Sequence, residues 1–249
     1  MATDGQEPRL ETNRLLAALP DDARGRLAEQ LELVELQLRE PVLKQGEPIG
    51  HVYFPADAVA SLLSELEDGR PVEIATVGRE GMVGLPVFLN TSSTSAYMGF
   101  IQVSGRLWRM PVDDFRNRLD DSSELHDVLQ RYTQGLFGQL AINVACNQAH
   151  SVERRLARWL LMTRDRVGQD DFGLTQEFAA QMLGVRRATV NQTAQALQER
   201  GLIRYTRGRL SIVDRERLEA VSCDCYRRIN EEFDRLFPPD GAKNVSSSE

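Results

Sequence analysis

The hydrophobic residues of this chain follow a helical spacing near its start and a strand-like spacing after it. Between residues 13 and 33 leucines recur at helical intervals, and Pro20 suits the first turn of a second helix. From residue 34 to residue 110 the apolar runs are short and are separated by turn sequences. This spacing predicts a β-sandwich or a jelly-roll barrel. The predicted strands are residues 34–38, 41–44, 51–54, 59–66, 72–77, 82–83, 97–103 and 107–110, and residues 67–70 are predicted to form a hairpin turn.

Residues 122–147 predict one long helix, because no proline interrupts them and apolar residues recur at a near-heptad spacing. At about 1.5 Å per residue this helix would be roughly 40 Å long. Pairing with the same helix of a second chain would bury the seam in a parallel dimer, whereas an ordinary core helix is the alternative. Further helices are predicted over residues 152–166 and 215–237. The residues of the predicted dimer seam are Leu125, Leu129, Tyr132, Leu136, Leu140 and Asn143.

Residues 174–200 predict two helices joined by a tight turn. Thr175 is a suitable N-cap, and Phe178 begins the apolar face of the first helix. Gly184 can turn the backbone there because it has no Cβ. The second helix is predicted to start near Arg186, and its buried face consists of Val190, Ala194 and Leu197.

The opposite face of this second helix is polar and cationic. It consists of Arg186, Arg187, Thr189, Asn191, Gln192 and Gln195, with no acidic residue before Glu199. Side chains of these types make bidentate contacts to base edges or bond to phosphate oxygens. The pattern indicates a helix-turn-helix whose second helix enters the major groove of DNA. An ordinary helical hairpin in a core is the alternative.

Residues 202–213 predict a β-hairpin directly after this helix, with Gly208 supplying the turn. A hairpin in this position is a wing, and Arg207 and Arg209 at its tip are expected to reach backbone phosphates. The unit is therefore predicted to be a winged helix-turn-helix. The full set of expected DNA contacts is Thr175, Arg186, Arg187, Thr189, Asn191, Gln192, Gln195, Arg207 and Arg209.

The distribution of charge supports DNA binding where the net charge alone would not. The chain of 249 residues has a formal charge of −7, from 30 basic and 37 acidic residues. Residues 150–230, however, hold 15 arginines and 10 acidic residues, so the basic charge is concentrated in the C-terminal part. No apolar run approaches 18 residues, and the N-terminus lacks the apolar core of a secretory signal. We therefore expect a cytoplasmic protein that does not contact membranes.

The three cysteines, Cys146, Cys223 and Cys225, do not predict a metal site. None forms a CxxC pair, and no histidine is near Cys223 and Cys225 in the sequence. We expect reduced thiols, and a redox response of the Cys223–Cys225 pair is the alternative. No nucleophile–base set, metal cluster or lysine-containing phosphate loop is visible, so we expect neither enzymatic activity nor a cofactor. A lone histidine is more often structural, so we interpret His51, His126 and His150 in that way, and haem binding by one of them is the alternative.

The order of short helices, β-roll, long helix and winged helix-turn-helix resembles the Crp/Fnr family of bacterial transcription regulators. The resemblance covers about residues 15–219 and rests on residues 43–47 (LKQGE), 76–85 (TVGREGMVGL, at the family's phosphate-cassette position) and 174–213. Arg187, Thr189 and Val190 stand at the family's R-x-T-V signature. The resemblance implies that Arg187 reads a guanine, with Arg186, Asn191 and Gln192 beside it.

The cassette departs from the family pattern. Members that bind cyclic nucleotides have a Gly-Glu pair, whose carboxylate holds the ribose, and an Arg-Ser or Arg-Thr pair about ten residues later, whose arginine neutralises the cyclic phosphate. Here Gly84 is followed by Leu85, and the later position reads Thr94-Ser95-Ala96. A phosphate buried without a cation is costly, so we expect no ordinary cyclic-AMP binding. The iron–sulfur sensors' N-terminal cysteines are also missing. The candidate effector pocket consists of Gly84, Leu85, Thr94, Ser95 and Tyr132.

These observations predict an α+β fold with three parts. Residues 13–120 form a jelly-roll-like β-roll sensory domain, residues 121–149 a dimerisation helix, and residues 150–237 a winged helix-turn-helix domain. The expected function is sequence-specific transcription regulation by a homodimer on an inverted-repeat operator. RNA polymerase is an expected partner, and a small-molecule effector is a candidate partner. A ligand-binding signalling module whose C-terminal unit contacts proteins is the alternative.

Overall fold

A computed structural model describes residues 7–67, 69, 71–89 and 94–238 of the chain. The predicted hairpin turn at residues 67–70 includes Asp68 and Arg70, which lie outside the described residues. Within the described part, no helix is long and apolar enough to cross a membrane.

The N-terminal part is a β-roll made of two antiparallel sheets. One has the strand order β1-β7-β3 and the other the order β2-β6-β4-β5. The strand predicted at residues 82–83 is reduced to an isolated bridge between Tyr53 and Val83. The strands are β1 (Glu32–Leu36), β2 (Pro41–Leu43), β3 (His51–Pro55), β4 (Val59–Glu65), β5 (Pro71–Val77), β6 (Met98–Val103) and β7 (Gly105–Pro111).

Short helices close the ends of the β-roll, and a long helix follows it. Asn13 caps the first helix, where its side chain accepts hydrogen bonds from the backbone N–H groups of Leu15 and Leu16. The helix at residues 112–121 was absent from the sequence prediction, although Asp113 and Asp114 suit the positive end of its dipole. The helices are α1 (Arg14–Ala17), α2 (Asp21–Ala28), α3 (Pro86–Leu89), α4 (Val112–Asp121), α5 (Ser123–Ala149) and α6 (Val152–Val167).

The C-terminal part contains two helices, a three-stranded sheet and two further helices. Its elements are β8 (Asp171–Gly173), α7 (Gln176–Leu183), α8 (Arg187–Glu199), β9 (Ile203–Thr206), β10 (Arg209–Ile212), α9 (Arg215–Val221) and α10 (Cys225–Leu236). The strands pair in the order β8-β10-β9, so the wing has one strand more than the predicted hairpin. The structure also divides the helix predicted over residues 215–237 in two. After this break, α10 returns to pack against α5.

A buried ion pair joins the β-roll to α6. Arg166 Nε donates to Glu80 Oε1 at 2.7 Å, and both side chains are less than a tenth exposed. The loop that carries Glu80 has Gly78 and Gly81, and both allow a close approach. A Cβ on Gly78 would lie 2.4 Å from Cγ of Arg166, and one on Gly81 would lie 2.1 Å from Cε2 of Tyr132 on α5. The loop from Gly78 to Gly81 is therefore shaped by its contacts with the two helices that follow the β-roll.

A second carboxyl group at this contact has an unusual protonation equilibrium. Burial raises the pKa of Glu73 to about 7, although hydrogen bonds from Ser61 Oγ and Trp159 Nε1 favour the ionised form. Trp159 belongs to α6, whereas Glu73 lies in β5. We therefore expect the contact between the β-roll and the helix that leads into the C-terminal part to respond to pH near neutrality.

We predict that Gly81→Ala destabilises the protein by about 1–3 kcal/mol, because the added methyl group overpacks a site that cannot relax. Tyr132 is fully buried, and its hydroxyl donates to the carbonyl of Met82 at 2.9 Å. Chemical denaturation measures the free energy of unfolding. Gly25→Ala in α2 is the matched control, because its Cβ would meet nothing within 4 Å and alanine favours a helix by about 0.5–1 kcal/mol. A Gly81→Ala protein as stable as the wild type would contradict this packing.

We predict that the free energy of unfolding falls as the pH rises from about 4.5 to about 7. In this range the folded chain retains a proton that the unfolded chain has released, because the folded pKa is raised from 4.5. Glu73→Gln should remove this component of the pH dependence, which denaturation at several pH values measures. The exposed Glu35→Gln should keep the wild-type profile. If the free energy of unfolding changed with pH equally in the two variants, the raised pKa of Glu73 would be contradicted.

Candidate nucleic-acid interface and effector cavity

Helices α7 and α8 form a helix-turn-helix whose turn is made by glycine. Thr175 Oγ1 accepts a hydrogen bond from the N–H of Phe178 at 3.1 Å, so this residue caps α7. Gly184 follows α7 with a φ of 64°, a left-handed conformation that glycine adopts without strain. Arg186 then precedes α8, which begins at Arg187.

The two faces of α8 differ in exposure. Val190, Ala194 and Leu197 are buried, whereas the residues predicted to contact DNA lie at the surface, with Thr189 half-buried. No acidic residue lies in the first turn of α8, and Arg186 and Arg187 add two charges to the positive end of its dipole. This end of the helix therefore presents cations and polar groups to solvent. The exposed residues are Arg186, Arg187, Asn191, Gln192 and Gln195.

The wing presents two more arginines. Arg209 pairs with Thr206, so Arg207 and Gly208 are the two central residues of the hairpin turn. Both have positive φ, 48° for Arg207 and 79° for Gly208, as a two-residue turn of the mirror-image type requires. Arg207 and Arg209 are exposed. The sequence predicted the turn at Gly208, but not that Arg207 also adopts the left-handed conformation.

The predicted dimer seam of α5 faces the protomer's own core, which corrects its assignment. Leu125, Leu129, Tyr132 and Leu136 are buried within the single chain, Leu140 is partly buried, and Asn143 Nδ2 donates to the carbonyl of Ile74 in β5. Spacing alone predicts that this face is covered, but it does not show whether the β-roll of the same chain or a second copy covers it.

A different stripe of α5 is exposed. The side chains of Phe137 and Val144 are 73% and 68% exposed, and Ala141 lies between them on the same face. Large apolar groups exposed together on one helix are typical of a surface that contacts another molecule. The face beside it is closed by α10, because Gly135 allows Phe233 to approach closely.

A cavity of about 300 Å³ lies between α3, the start of β6 and α5. Its described lining residues are Leu85, Pro86, Leu89, Thr94, Tyr97, Thr133, Leu136, Phe137 and Leu140. None of these is charged, and residues 90–93 beside Thr94 lie outside the described part. The described residues of the cavity wall therefore offer no cation to a bound ligand.

The five residues of the predicted effector pocket divide into two groups. Leu85 and Thr94 line the cavity. Ser95 and Tyr132 are not among its lining residues: Ser95 Oγ donates to the carbonyl of Tyr97, and the Tyr132 hydroxyl donates to the carbonyl of Met82. A Cβ on Gly84, whose φ is 101°, would lie 3.0 Å from a methyl carbon of Val52, so close packing explains this glycine. Sequence reasoning missed Tyr97, although an aromatic residue at the start of a strand beside a loop was visible.

Three cysteines and a histidine that are distant in sequence meet at the C-terminal end of α5. The ligand atoms of Cys146, His150, Cys223 and Cys225 all lie within 4.8 Å of one another. The absence of a histidine near Cys223 and Cys225 in the sequence was thus a poor guide to their surroundings. A signal was present: Cys146 and His150 are four residues apart, which places them on one helix face.

The comparisons with known proteins match both parts of the chain. Residues 33–122 match the cyclic nucleotide-binding domain, and residues 154–221 match the Crp-like helix-turn-helix domain. A CRP-like cAMP-activated global transcriptional regulator of Mycobacterium tuberculosis is 29% identical over 200 residues, which cover 77% of this chain and 88% of the relative.

Solved structures show the same fold. FixK2 from Bradyrhizobium japonicum aligns with a TM-score of 0.65 and 15% identity, over 78% of this chain and 98% of that one. A transcriptional regulator of the CRP family from Thermus thermophilus aligns with a TM-score of 0.63 and 17% identity, over 76% and 96% of the two chains.

Proposed function

The chain belongs to the Crp/Fnr family of transcription regulators, and from this premise we propose that it acts as a homodimer on an inverted-repeat operator. Each protomer would insert α8 into the major groove of one half-site. The observation that carries this proposal is the exposed, cationic first turn of α8 above a fully packed apolar face. Helices of this geometry read base edges with their N-terminal residues.

The contacts divide by chemistry into those that read bases and those that hold the backbone. Arg187 is the residue proposed to bond to a guanine, because its guanidinium matches the two acceptors on the major-groove edge of that base. Asn191 and Gln192, one turn later on the same exposed surface, would extend the readout. Arg207 and Arg209 at the tip of the wing are proposed to bind phosphates, which fixes orientation without selecting sequence.

The exposed stripe of α5 supports the dimer. We define this stripe as Phe137, Ala141 and Val144, whose spacings of four and three residues match the seam of a coiled coil. Pairing two copies of α5 along it would remove two large apolar side chains per protomer from water. A twofold arrangement would then place the two α8 helices on half-sites about 34 Å apart, one helical turn of DNA.

The cavity supports a regulator that does not use cyclic AMP in the usual way. The Mycobacterium tuberculosis relative is cAMP-activated, but the described wall of this cavity has no cation to meet a phosphate. We propose that any effector is a small, largely apolar molecule. Phe137 belongs both to the cavity wall and to the dimer stripe, so such a molecule would act directly on the pairing of the two α5 helices. RNA polymerase is the proposed downstream partner.

The alternative is a signalling module whose C-terminal unit contacts proteins rather than DNA. It would leave the cationic face of α8 and the arginines of the wing without a polyanionic partner. The family membership and the concentration of arginine in residues 150–230 favour DNA.

We predict that Arg187→Ala weakens specific operator binding by about 1–3 kcal/mol and relaxes the preference at one base position. The operator is first obtained by selection from random DNA, and binding is then measured by fluorescence anisotropy at fixed salt. Arg227→Ala on α10 is the matched control, since Arg227 is also exposed and lies outside the helix-turn-helix. The proposed readout would be contradicted if the wild type selected no preferred DNA sequence, or if the Arg187→Ala and Arg227→Ala variants bound the operator with equal affinity.

We predict that Phe137→Glu converts a dimer into a monomer, because it places a charge in the seam that two α5 helices would share. Light scattering after gel filtration measures the molecular mass. Leu38→Glu serves as control, since Leu38 is also an exposed apolar residue (43%) but lies in the β-roll. A monomeric wild type, or a dimeric Phe137→Glu variant, would show that the stripe is not the dimer interface.

A further inference from the structure

The cluster of Cys146, His150, Cys223 and Cys225 has the composition of a metal site. Cys146 lies in the last full turn of α5, and His150 is the residue that ends this helix. Cys223 and Cys225 lie at the break between α9 and α10, where Cys225 begins α10. All three cysteines are at most 3% exposed, and the histidine side chain is 20% exposed. We name these four residues the Cys3His cluster.

The distances within the Cys3His cluster suit a single tetrahedral ion. Zinc binds sulfur at about 2.3 Å and nitrogen at about 2.0–2.1 Å, so the edges of its tetrahedron are about 3.8 Å between sulfurs and about 3.6 Å between sulfur and nitrogen. Cys146 Sγ lies 3.5 Å from Cys223 Sγ, and Cys225 Sγ lies 3.6 Å from His150 Nδ1. The remaining distances are below 4.8 Å. Ligands of an iron–sulfur cluster surround several irons and bridging sulfides, and therefore stand farther apart.

The two ring nitrogens of His150 face a thiol and a carboxylate. Its Nδ1 faces Cys225, and its Nε2 lies 3.7 Å from Oδ1 of Asp224. A ligating histidine commonly directs its other ring nitrogen to a carboxylate, which fixes the tautomer and strengthens the ligand. Asp224 stands between the two cysteines of the break, so the same short segment would supply two ligands and this supporting carboxylate.

The charge around the Cys3His cluster also suits a bound ion. Three thiolates and one Zn²⁺ carry a net charge of −1, and Arg155 and Arg158 of α6 interact electrostatically with the thiols. The Nε atoms of both arginines are buried without a hydrogen-bond partner among the described residues. Their terminal nitrogens bond to neutral groups, the carbonyl of Leu183 and the side chains of Asn143 and Met162. An anionic metal–thiolate centre would add a negative charge beside these two cations.

From these observations we propose that the Cys3His cluster binds one Zn²⁺ ion through four protein ligands. Thiolate and imidazole in tetrahedral arrangement select zinc among common divalent ions, and four protein ligands leave no position open for a substrate, as in structural zinc sites. The ion would connect the C-terminal end of α5 to the segment between α9 and α10. This connection would lie close to Ser151, the residue that separates α5 from α6. It would thereby hold the winged helix-turn-helix in a defined position relative to α5.

The test is the metal content of the reduced, full-length protein. We expect one zinc per chain by mass spectrometry of the metal, and on replacement by Co²⁺ the intense absorption of a tetrahedral cobalt–thiolate centre. Cys223→Ser and His150→Gln should each lose most of the zinc after gel filtration against a weak chelator. His126→Gln is the matched control, because His126 lies on the same helix outside the cluster and contacts Phe88.

Thiol reactivity gives a second measurement that needs no variant. In the zinc-loaded wild type the three thiols should react slowly with a thiol reagent, and a strong chelator should make all three reactive. Three outcomes would overturn the proposal: no zinc after reconstitution, iron with acid-labile sulfide in its place, or a Cys146–Cys223 disulfide in protein purified without reductant. None of these readouts uses DNA, so a failure here is distinguishable from a failure of the proposed operator binding.

Discussion

The contact on which this molecule depends is the buried ion pair between Glu80 and Arg166. Glu80 belongs to the loop that follows β5, and Arg166 belongs to the last turn of α6, just before the wing and the helix-turn-helix. Removal of either partner would leave the other charge buried and unpaired, which costs about 3–5 kcal/mol, so the two side chains must stay together wherever the β-roll meets α6. Gly78 and Gly81 are required on either side of Glu80, because any side chain there would occupy the space of Arg166 or Tyr132. The loop from Gly78 to Gly81 thus connects the β-roll to both α5 and α6.

Helix α5 has a different partner on each of its faces. Tyr132 and its neighbours fill the β-roll core, Gly135 receives α10, and Phe137 faces both the cavity and solvent. The C-terminal end of the helix carries half of the Cys3His cluster. An effector in the cavity, a second copy on the exposed stripe and an ion at the end of the helix would all act on this one rigid element. Coupling between sites needs such a shared element with more than one arrangement.

The sequence alone determined the parts of the structure that follow from local pattern. The helix-turn-helix was predictable, because N-cap, glycine turn and apolar spacing between Thr175 and Leu197 all refer to neighbours within one turn or two. The polar face of α8 followed from the same periodicity, and most strands of the β-roll followed from alternation and turn residues. The family resemblance could be stated from these elements and their order, and the comparisons confirmed it.

Tertiary structure decided which surfaces meet, and sequence spacing could not. The periodicity of α5 showed that Leu129 and Leu136 are buried, but burial against the protomer's own β-roll and burial against a second copy give the same spacing. The ligand atoms of the Cys3His cluster come from Cys146 and Cys223, 77 positions apart, and no local rule connects them. The pKa of Glu73 is raised by burial and partly lowered again by a hydrogen bond from Trp159, 86 positions away in the chain. Periodicity reports that a face is covered, whereas the partner that covers it is set by how the whole chain packs.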